Sequence, residues 1–316
     1  MPLGGKRVAF EFREHEMPSW QSHVLHLAHL GFRAFSGGFV ALDVAKERRN
    51  AAVAEKMFRP SSSVQYSAVT AHGVPAEWII PVGISTERVV LYVHGGAFYS
   101  GTLAGARPVA GQVAFAGKAR VLTIDYRLTP EHPFPAALDD ARIAYEWLLD
   151  SGLSSDSIVL VGDSAGGTLV LALLVQLRDQ GQPLPQSAVC LSPTTDLTMA
   201  GDTWTRNARK DLLLSPAKVR AAIDLYLQGT DPRTPLASPL YADLHGLPPL
   251  LILVGSDSDA TRLAAKAQAA GVTVMLEVWD RMQHGWHITA AFLPEGRQAI
   301  ARIGEFIQWS QSGQIQ

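Results

Sequence analysis

Five short runs of aliphatic residues limit the folds open to this chain: RVVLYV (88–93), ARVLTIDY (119–126), SIVLVG (157–162), SAVCLS (187–192) and PLLILVG (249–255). Each is apolar at consecutive positions, so each reads as a strand covered on both faces. Several are separated by long helical segments such as FPAALDDARIAYEWLLD. Strands and helices in alternation build a mainly parallel sheet with helices on both sides. Two further features flank this series. SVQYSAVT and PAEWIIPV, divided by Ala71-His72-Gly73-Val74, read as an antiparallel hairpin. VTVMLEVW (272–279) sets Val272, Val274, Leu276 and Val278 on one face and Thr273, Met275 and Glu277 on the other, as a strand near a sheet edge does.

From about residue 19 to 57 the pattern is helical, pausing at Ser36-Gly37-Gly38, and no strand is expected before the hairpin. An insertion at 195–245 holds the helical stretch SPAKVRAAIDLYLQG and a proline-punctuated loop. The chain therefore divides into an N-terminal helical cap segment (1–57), a first part of an α/β core (58–194), a cap insertion (195–245) and a second part of the core (246–316). The two cap pieces are expected to meet above the strand ends, where open α/β sheets bind ligands.

With 316 residues, 47% of them hydrophobic, the chain can bury a large core. Its net charge of −2 comes from intermixed signs with no long basic run, which argues against nucleic acid as a partner. Cys190, the single cysteine, excludes an intrachain disulfide and a thiolate metal cluster, and its place in SAVCL suits a small core residue. Charges interrupt the apolar residues at the N-terminus, and no span is long and apolar enough for a bilayer. No stable membrane insertion and a cytoplasmic location are the expectation. His23, His26 and His29 recur every three residues, but no carboxylate or cysteine joins them at ligand spacing. They read as a packing stripe, and no metal is expected.

The sequence SIVLVGDSAGG (157–167) puts Ser164 between Gly162 and Gly166, where an apolar strand gives way to the helix TLVLALLVQL. A serine on so sharp a turn presents its Oγ beside the N–H groups of the helix start. Its hydroxyl needs a base, and the base needs a carboxylate to hold its tautomer. In chains built this way the acid and then the histidine follow the serine. His284, in DRMQHGW before the last helix, is the candidate base, and His287, closer to the helix start, reads as a packing residue. After PLLILVG the segment SDSDATRL offers Asp257, directly off the strand end, with Asp259 as the alternative that would suit a helix cap or first turn. An ester carbonyl under attack needs N–H donors for its oxyanion. HGGAFYSG (94–101) supplies them through Gly95 and Gly96, with Ala165 as a third and His94 holding the loop by hydrogen bonds. Asp163 and Asp125 read as structural hydrogen-bond anchors. Phe35, Phe39, Trp204, Leu213, Leu214 and Trp286 are candidates for lining an acyl or alcohol pocket.

HGGAFYSG, DYRLTPEHPFPAALDD (125–140), VGDSAGG, PLASPLYADLHGLPPLLILVGSD and MQHGW together resemble the motifs of the bacterial hormone-sensitive-lipase-like esterases of the α/β-hydrolase superfamily. The resemblance spans roughly residues 60 to 310. It implies an α/β-hydrolase fold, a mostly parallel central sheet flanked by helices and covered by a helical cap. The activity it implies is a serine carboxylesterase for small, short-chain esters, working through an acyl-enzyme and needing no cofactor. Ser164, Asp257 and His284 would form its triad, and Gly95, Gly96 and Ala165 its oxyanion hole. Two departures stand out: Ala97 replaces a third glycine, and only Ser258 separates Asp257 from Asp259 where relatives have a longer spacing. The same scaffold also supports an acyltransferase, an amidase or a non-catalytic small-ligand-binding protein, and strand 272–279 leaves a homodimer paired edge to edge as an open arrangement.

Overall fold

The computed structural model describes residues 10–15, 19–24, 27, 42–55, 63–84, 87–201, 204, 215–255 and 258–312. Among these residues the expected hairpin is β2 (Val64–Ala71) and β3 (Val74–Pro81), antiparallel through a two-residue turn. His72 and Gly73 take φ of 46° and 97°, the pair of positive angles that lets a two-residue turn follow the strand twist. The five apolar runs form β4 (Val89–Val93), β5 (Arg120–Ile124), β6 (Ile158–Asp163), β7 (Ser187–Leu191) and β8 (Leu250–Gly255), and the last run forms β9 (Val274–Trp279). The sheet order is β1-β9-β8-β7-β6-β4-β5-β3-β2, parallel except where β3 meets β2 and β5.

The first strand corrects two expectations. β1 (Phe10–His15) pairs in parallel with β9, from Phe10 opposite Val274 to His15 opposite Trp279. A strand therefore precedes the helical segment, although the charges within FEFREH hid it from a search for apolar runs. Because β1 occupies that side of β9, the edge proposed for pairing with a second copy is taken within the chain.

The helices that flank the sheet or lie beside it include α1 (Val44–Glu55), α2 (Leu103–Gly117), α3 (Ala136–Asp150), α4 (Ala165–Asp179), α5 (Pro216–Leu227), α6 (Asp259–Ala269) and α7 (Pro294–Ser312). The strands face two cores. Leu91, Leu122, Leu160, Cys190 and Ile252 meet α3, α4 and α6 on one side. Val90, Val121, Val159, Val161 and Leu251 meet α2 and α7 on the other. Each fully buried aliphatic side chain contributes about 1.5–3 kcal/mol, so burial on both faces explains the unbroken apolar runs. Cys190 is buried with its thiol pKa pushed up by desolvation, as a small core residue should be.

After β4 the chain moves to β5 on one side, and β6 lies on the other, so the strand order switches between β4 and β6. The carboxyl ends of these two strands open a crevice there. Parts of the cap sequences lie beside it. Tyr226 of α5 stacks on Phe98 at 3.8 Å between ring centroids, and Phe134 N–H donates to Tyr226 O at 2.8 Å. Lys218 of α5 pairs with Glu47 of α1 at 2.8 Å.

Candidate active site

β6 ends at Asp163, and the chain reverses through Ser164 at φ 52° and ψ −119° before α4 begins at Ala165. Such angles cost a non-glycine residue on the order of 1–3 kcal/mol and persist where surrounding contacts impose them. Here Ser164 N–H donates to Leu191 O at 2.8 Å, and Ser164 O accepts Thr168 N–H at 3.1 Å. Gly166 is required by close approach: a Cβ on it would collide with the Val93 carbonyl at the end of β4. The missing side chain lets α4 start directly against β4, which brings Ser164 beside the loop leaving that strand.

Beyond β9, the turn before a single 3₁₀ turn (Trp286–Thr289) carries His284. Its Nε2 lies 2.8 Å from Ser164 Oγ across 120 residues of sequence. In this geometry the ring can accept the hydroxyl proton when Nε2 is unprotonated. His287, three residues on, is fully buried, and desolvation pushes its pKa down to about 4. A ring held neutral away from Ser164 fits the packing role expected of it.

The loop after β4 is fixed at several points. His94 is buried, stacks on Tyr126 at 4.4 Å, and its Nδ1 donates to Gly95 O at 2.7 Å. Tyr126 OH donates to His94 O at 2.9 Å. Gly96 takes φ 127°, and its carbonyl accepts Ser100 N–H at 2.9 Å and Ser100 Oγ–H at 3.0 Å. A side chain at 96 would meet the Ser100 carbonyl. Gly95 departs from expectation. Its N–H donates to Asp163 Oδ1 at 3.0 Å, which commits that donor to a carboxylate rather than to a substrate oxygen. Among the described residues no hydrogen bond takes the N–H of Gly96, Ala97 or Ala165. Ala97, passed over in the sequence because it breaks a glycine run, sits at φ 51° with that open N–H.

Asp257 lies outside the described residues. Asp259 opens α6, where Ser258 is the N-cap and accepts Ala260 N–H at 3.2 Å. Both oxygens of Asp259 are engaged: Oδ2 accepts Trp204 Nε1–H at 2.8 Å, and Oδ1 accepts Arg262 at 2.9 Å. Arg262 also donates to Asp196 Oδ2 at 2.8 Å. Asp196 is fully buried, and its Oδ1 accepts Thr198 Oγ–H at 2.5 Å and Tyr241 OH at 3.1 Å. These bonds hold its carboxyl below the usual carboxylate range against the opposing effect of burial. No local pattern marks this cluster in the sequence, because its members lie up to 66 residues apart.

Of the proposed pocket residues, Phe35, Phe39, Leu213 and Leu214 lie outside the described residues. Trp204 is half-buried with its indole on Asp259. Trp286 is corrected: it is 2% exposed and packs on Trp279 at 6.0 Å in the core beside α7, so its ring is not on a pocket wall. His23 is exposed, while His26 and His29 lie outside the described residues.

The chain is similar to known proteins over most of its length. A family model described as alpha/beta hydrolase fold matches residues 90–288. The chain is 45% identical over 244 residues to an acetyl-hydrolase of Streptomyces hygroscopicus, covering 76% of this chain and 81% of that protein. It is 35% identical over 256 residues to an esterase of Acinetobacter venetianus, covering 79% and 84%. The crystal structure of an esterase from the bacterial hormone-sensitive lipase family superposes with a TM-score of 0.87 at 43% identity, covering 94% of this chain and 100% of that one. Among the described residues no helix is long and apolar enough to cross a membrane. The chain is a carboxylic ester hydrolase that belongs to the bacterial hormone-sensitive-lipase-like esterases of the α/β-hydrolase superfamily.

Proposed function

We propose that the enzyme hydrolyses short-chain carboxylic esters through an acyl-enzyme on Ser164, with His284 as base and Asp257 as the carboxylate that orients it. The observation that carries this reading is the 2.8 Å contact between His284 Nε2 and Ser164 Oγ on a strained strand-to-helix turn. Ser164 Oγ attacks the carbonyl carbon while its proton passes to His284 Nε2. The oxyanion is received by the N–H groups of Gly96, Ala97 and Ala165, Ala97 replacing Gly95 in the set read from sequence. Each such donor is worth about a hundredfold or more in rate. The tetrahedral intermediate collapses, His284 returns the proton to the leaving alcohol, and water then attacks the acyl-serine by the same route.

Two observations favour Asp257 over Asp259. Both oxygens of Asp259 are engaged elsewhere, and a Cβ on Gly255 would collide with the Met282 carbonyl, so the end of β8 lies against the loop that carries His284. The similarity to an acetyl-hydrolase favours a small acyl group. The test is hydrolysis of a p-nitrophenyl ester series. Acetate and butyrate should be cleaved faster than decanoate, and Ser164→Ala should lower kcat by about 10⁴-fold or more. Wild-type-like turnover by Ser164→Ala would overturn the assignment.

A further inference from the structure

We infer that Asp163, the residue before the nucleophile, is a positioning residue that holds the loop after β4 in register with Ser164. This inference rests on the reading of Gly96, Ala97 and Ala165 as the oxyanion hole. The paired strands β4 and β6 run side by side until Val93 stands opposite Gly162, where the main chains part. Beyond that point a side chain continues the link. Asp163 Oδ1 accepts Tyr92 OH at 2.6 Å from β4 and Gly95 N–H at 3.0 Å from the loop. The carboxylate is 6% exposed, so both are charge-assisted bonds in a site of low polarity.

The packing is equally close. A Cβ on Gly95 would collide with Asp163 Oδ2, so this position accepts only glycine while the carboxylate stays in place. On its far side the same carboxylate faces His287 Nε2 at 3.9 Å, from the segment that carries His284. One side chain thus borders three segments: the end of β4 with its loop, the nucleophile turn, and the stretch after the base. Asp163 holds the His94–Gly95 peptide through the Gly95 N–H, and the Ser100 N–H and hydroxyl hold the Gly96–Ala97 peptide through the Gly96 carbonyl. The N–H groups of Gly96 and Ala97, which follow the Asp163 anchor along the loop, take no hydrogen bond among the described residues. Asp163 therefore anchors the start of the donor loop, alongside the His94 and Ser100 bonds, without touching substrate.

The experiment compares Asp163→Ala, Asp163→Asn and Ser164→Ala in p-nitrophenyl acetate kinetics. It also measures inhibition by an alkyl trifluoromethyl ketone, which adds to the nucleophilic serine and places an oxyanion where the reaction does. For Asp163→Ala, kcat should fall about 30- to 300-fold with KM within about threefold, and ketone affinity should fall by a similar factor. Asp163→Asn keeps an acceptor at the Oδ1 position and should recover kcat to within about fivefold of wild type. If Asp163→Ala is not recovered folded, Asp163→Ser, whose hydroxyl stops short of Gly95 N–H, is read in its place with the same expectation. A variant that loses thermal stability but keeps kcat and ketone affinity within threefold overturns the proposal. So does an Asp163→Asn enzyme as impaired as Asp163→Ala. Turnover surviving in Ser164→Ala would instead defeat the underlying assignment of the nucleophile, so the two failures are distinguishable.

Discussion

Arg48 and Glu131 meet fork to fork, with NH1 to Oε1 and NH2 to Oε2 both at 2.8 Å, and so join helix α1 to the loop that follows β5. The same guanidinium donates from Nε to Tyr99 O at 2.7 Å and from NH2 to Thr129 O at 3.0 Å. Arg48 holds the Glu131 carboxyl down to about 2, so the pair remains charged throughout any working pH range. Glu131 is largely exposed, and the ion pair by itself adds little stability. Its consequence is positional, because Tyr99 belongs to the loop that carries Gly96. Arg48→Ala should lower kcat/KM for p-nitrophenyl esters about tenfold while changing the free energy of unfolding by less than about 1 kcal/mol. Arg48→Lys should recover little, since an ammonium with three N–H donors cannot serve the four oxygens that the guanidinium reaches. Unchanged kinetics in Arg48→Ala would show that α1 does not govern the loop.

Asp259→Asn and Asp257→Asn separate a structural carboxylate from a catalytic one. Asparagine at 259 can still accept from Trp204 but loses its charge toward Arg262, so unfolding free energy should fall by about 1–2 kcal/mol with kcat within about fivefold. Asparagine at 257 should cost about 10⁴-fold in kcat, the scale seen when a triad acid is neutralised. The reverse ordering, read from kinetics and urea unfolding, would make Asp259 the acid.

The parallel sheet could be read from the sequence because its strands are buried on both faces, and such strands leave continuous apolar runs such as RVVLYV and SIVLVG. Ser164 and His284 could be read because their chemistry demands particular residue types at particular turns. β1 could not, since FEFREH mixes charge with apolar residues and becomes a strand only by pairing with β9. The misassignment of Gly95 has a similar cause. A glycine run shows that a backbone can turn, but which N–H remains open depends on Asp163, 68 residues away. Trp286 misled because an aromatic residue two positions from the base suggests a pocket wall, whereas the 3₁₀ turn rotates its ring onto Trp279.

Glu277 on β9 is 1% exposed and accepts Arg302 Nε–H of α7 at 2.7 Å. Removing Arg302 takes a charge-assisted hydrogen bond from the buried Glu277 carboxylate, a loss of about 1.5–3 kcal/mol. Arg302→Met should therefore destabilise the fold by about 1.5–3 kcal/mol by urea denaturation without changing the KM for p-nitrophenyl acetate. Replacing both partners, Glu277→Leu with Arg302→Met, should regain most of that loss; a double variant no more stable than the single one would show that the pair itself is not the source.

His287 supplies the pH dependence. Burial lowers its pKa from 6.5 to about 4, against the opposing effect of Asp163 and with the neighbouring His284 acting in the same direction as burial. An unfolded chain binds a proton at this ring below about pH 6.5, whereas the folded protein does so only near pH 4, so acid favours unfolding through this group. The loss begins as pH falls through 6.5 and is complete near pH 4. A shift of this size corresponds to about 3 kcal/mol over that window. His287→Gln carries no such proton, so its stability should decline less between pH 7 and pH 4.5 than that of the wild type, by about 2 kcal/mol. Chemical denaturation at half-unit pH steps reads the difference, and parallel curves for the two proteins would place the acid sensitivity elsewhere.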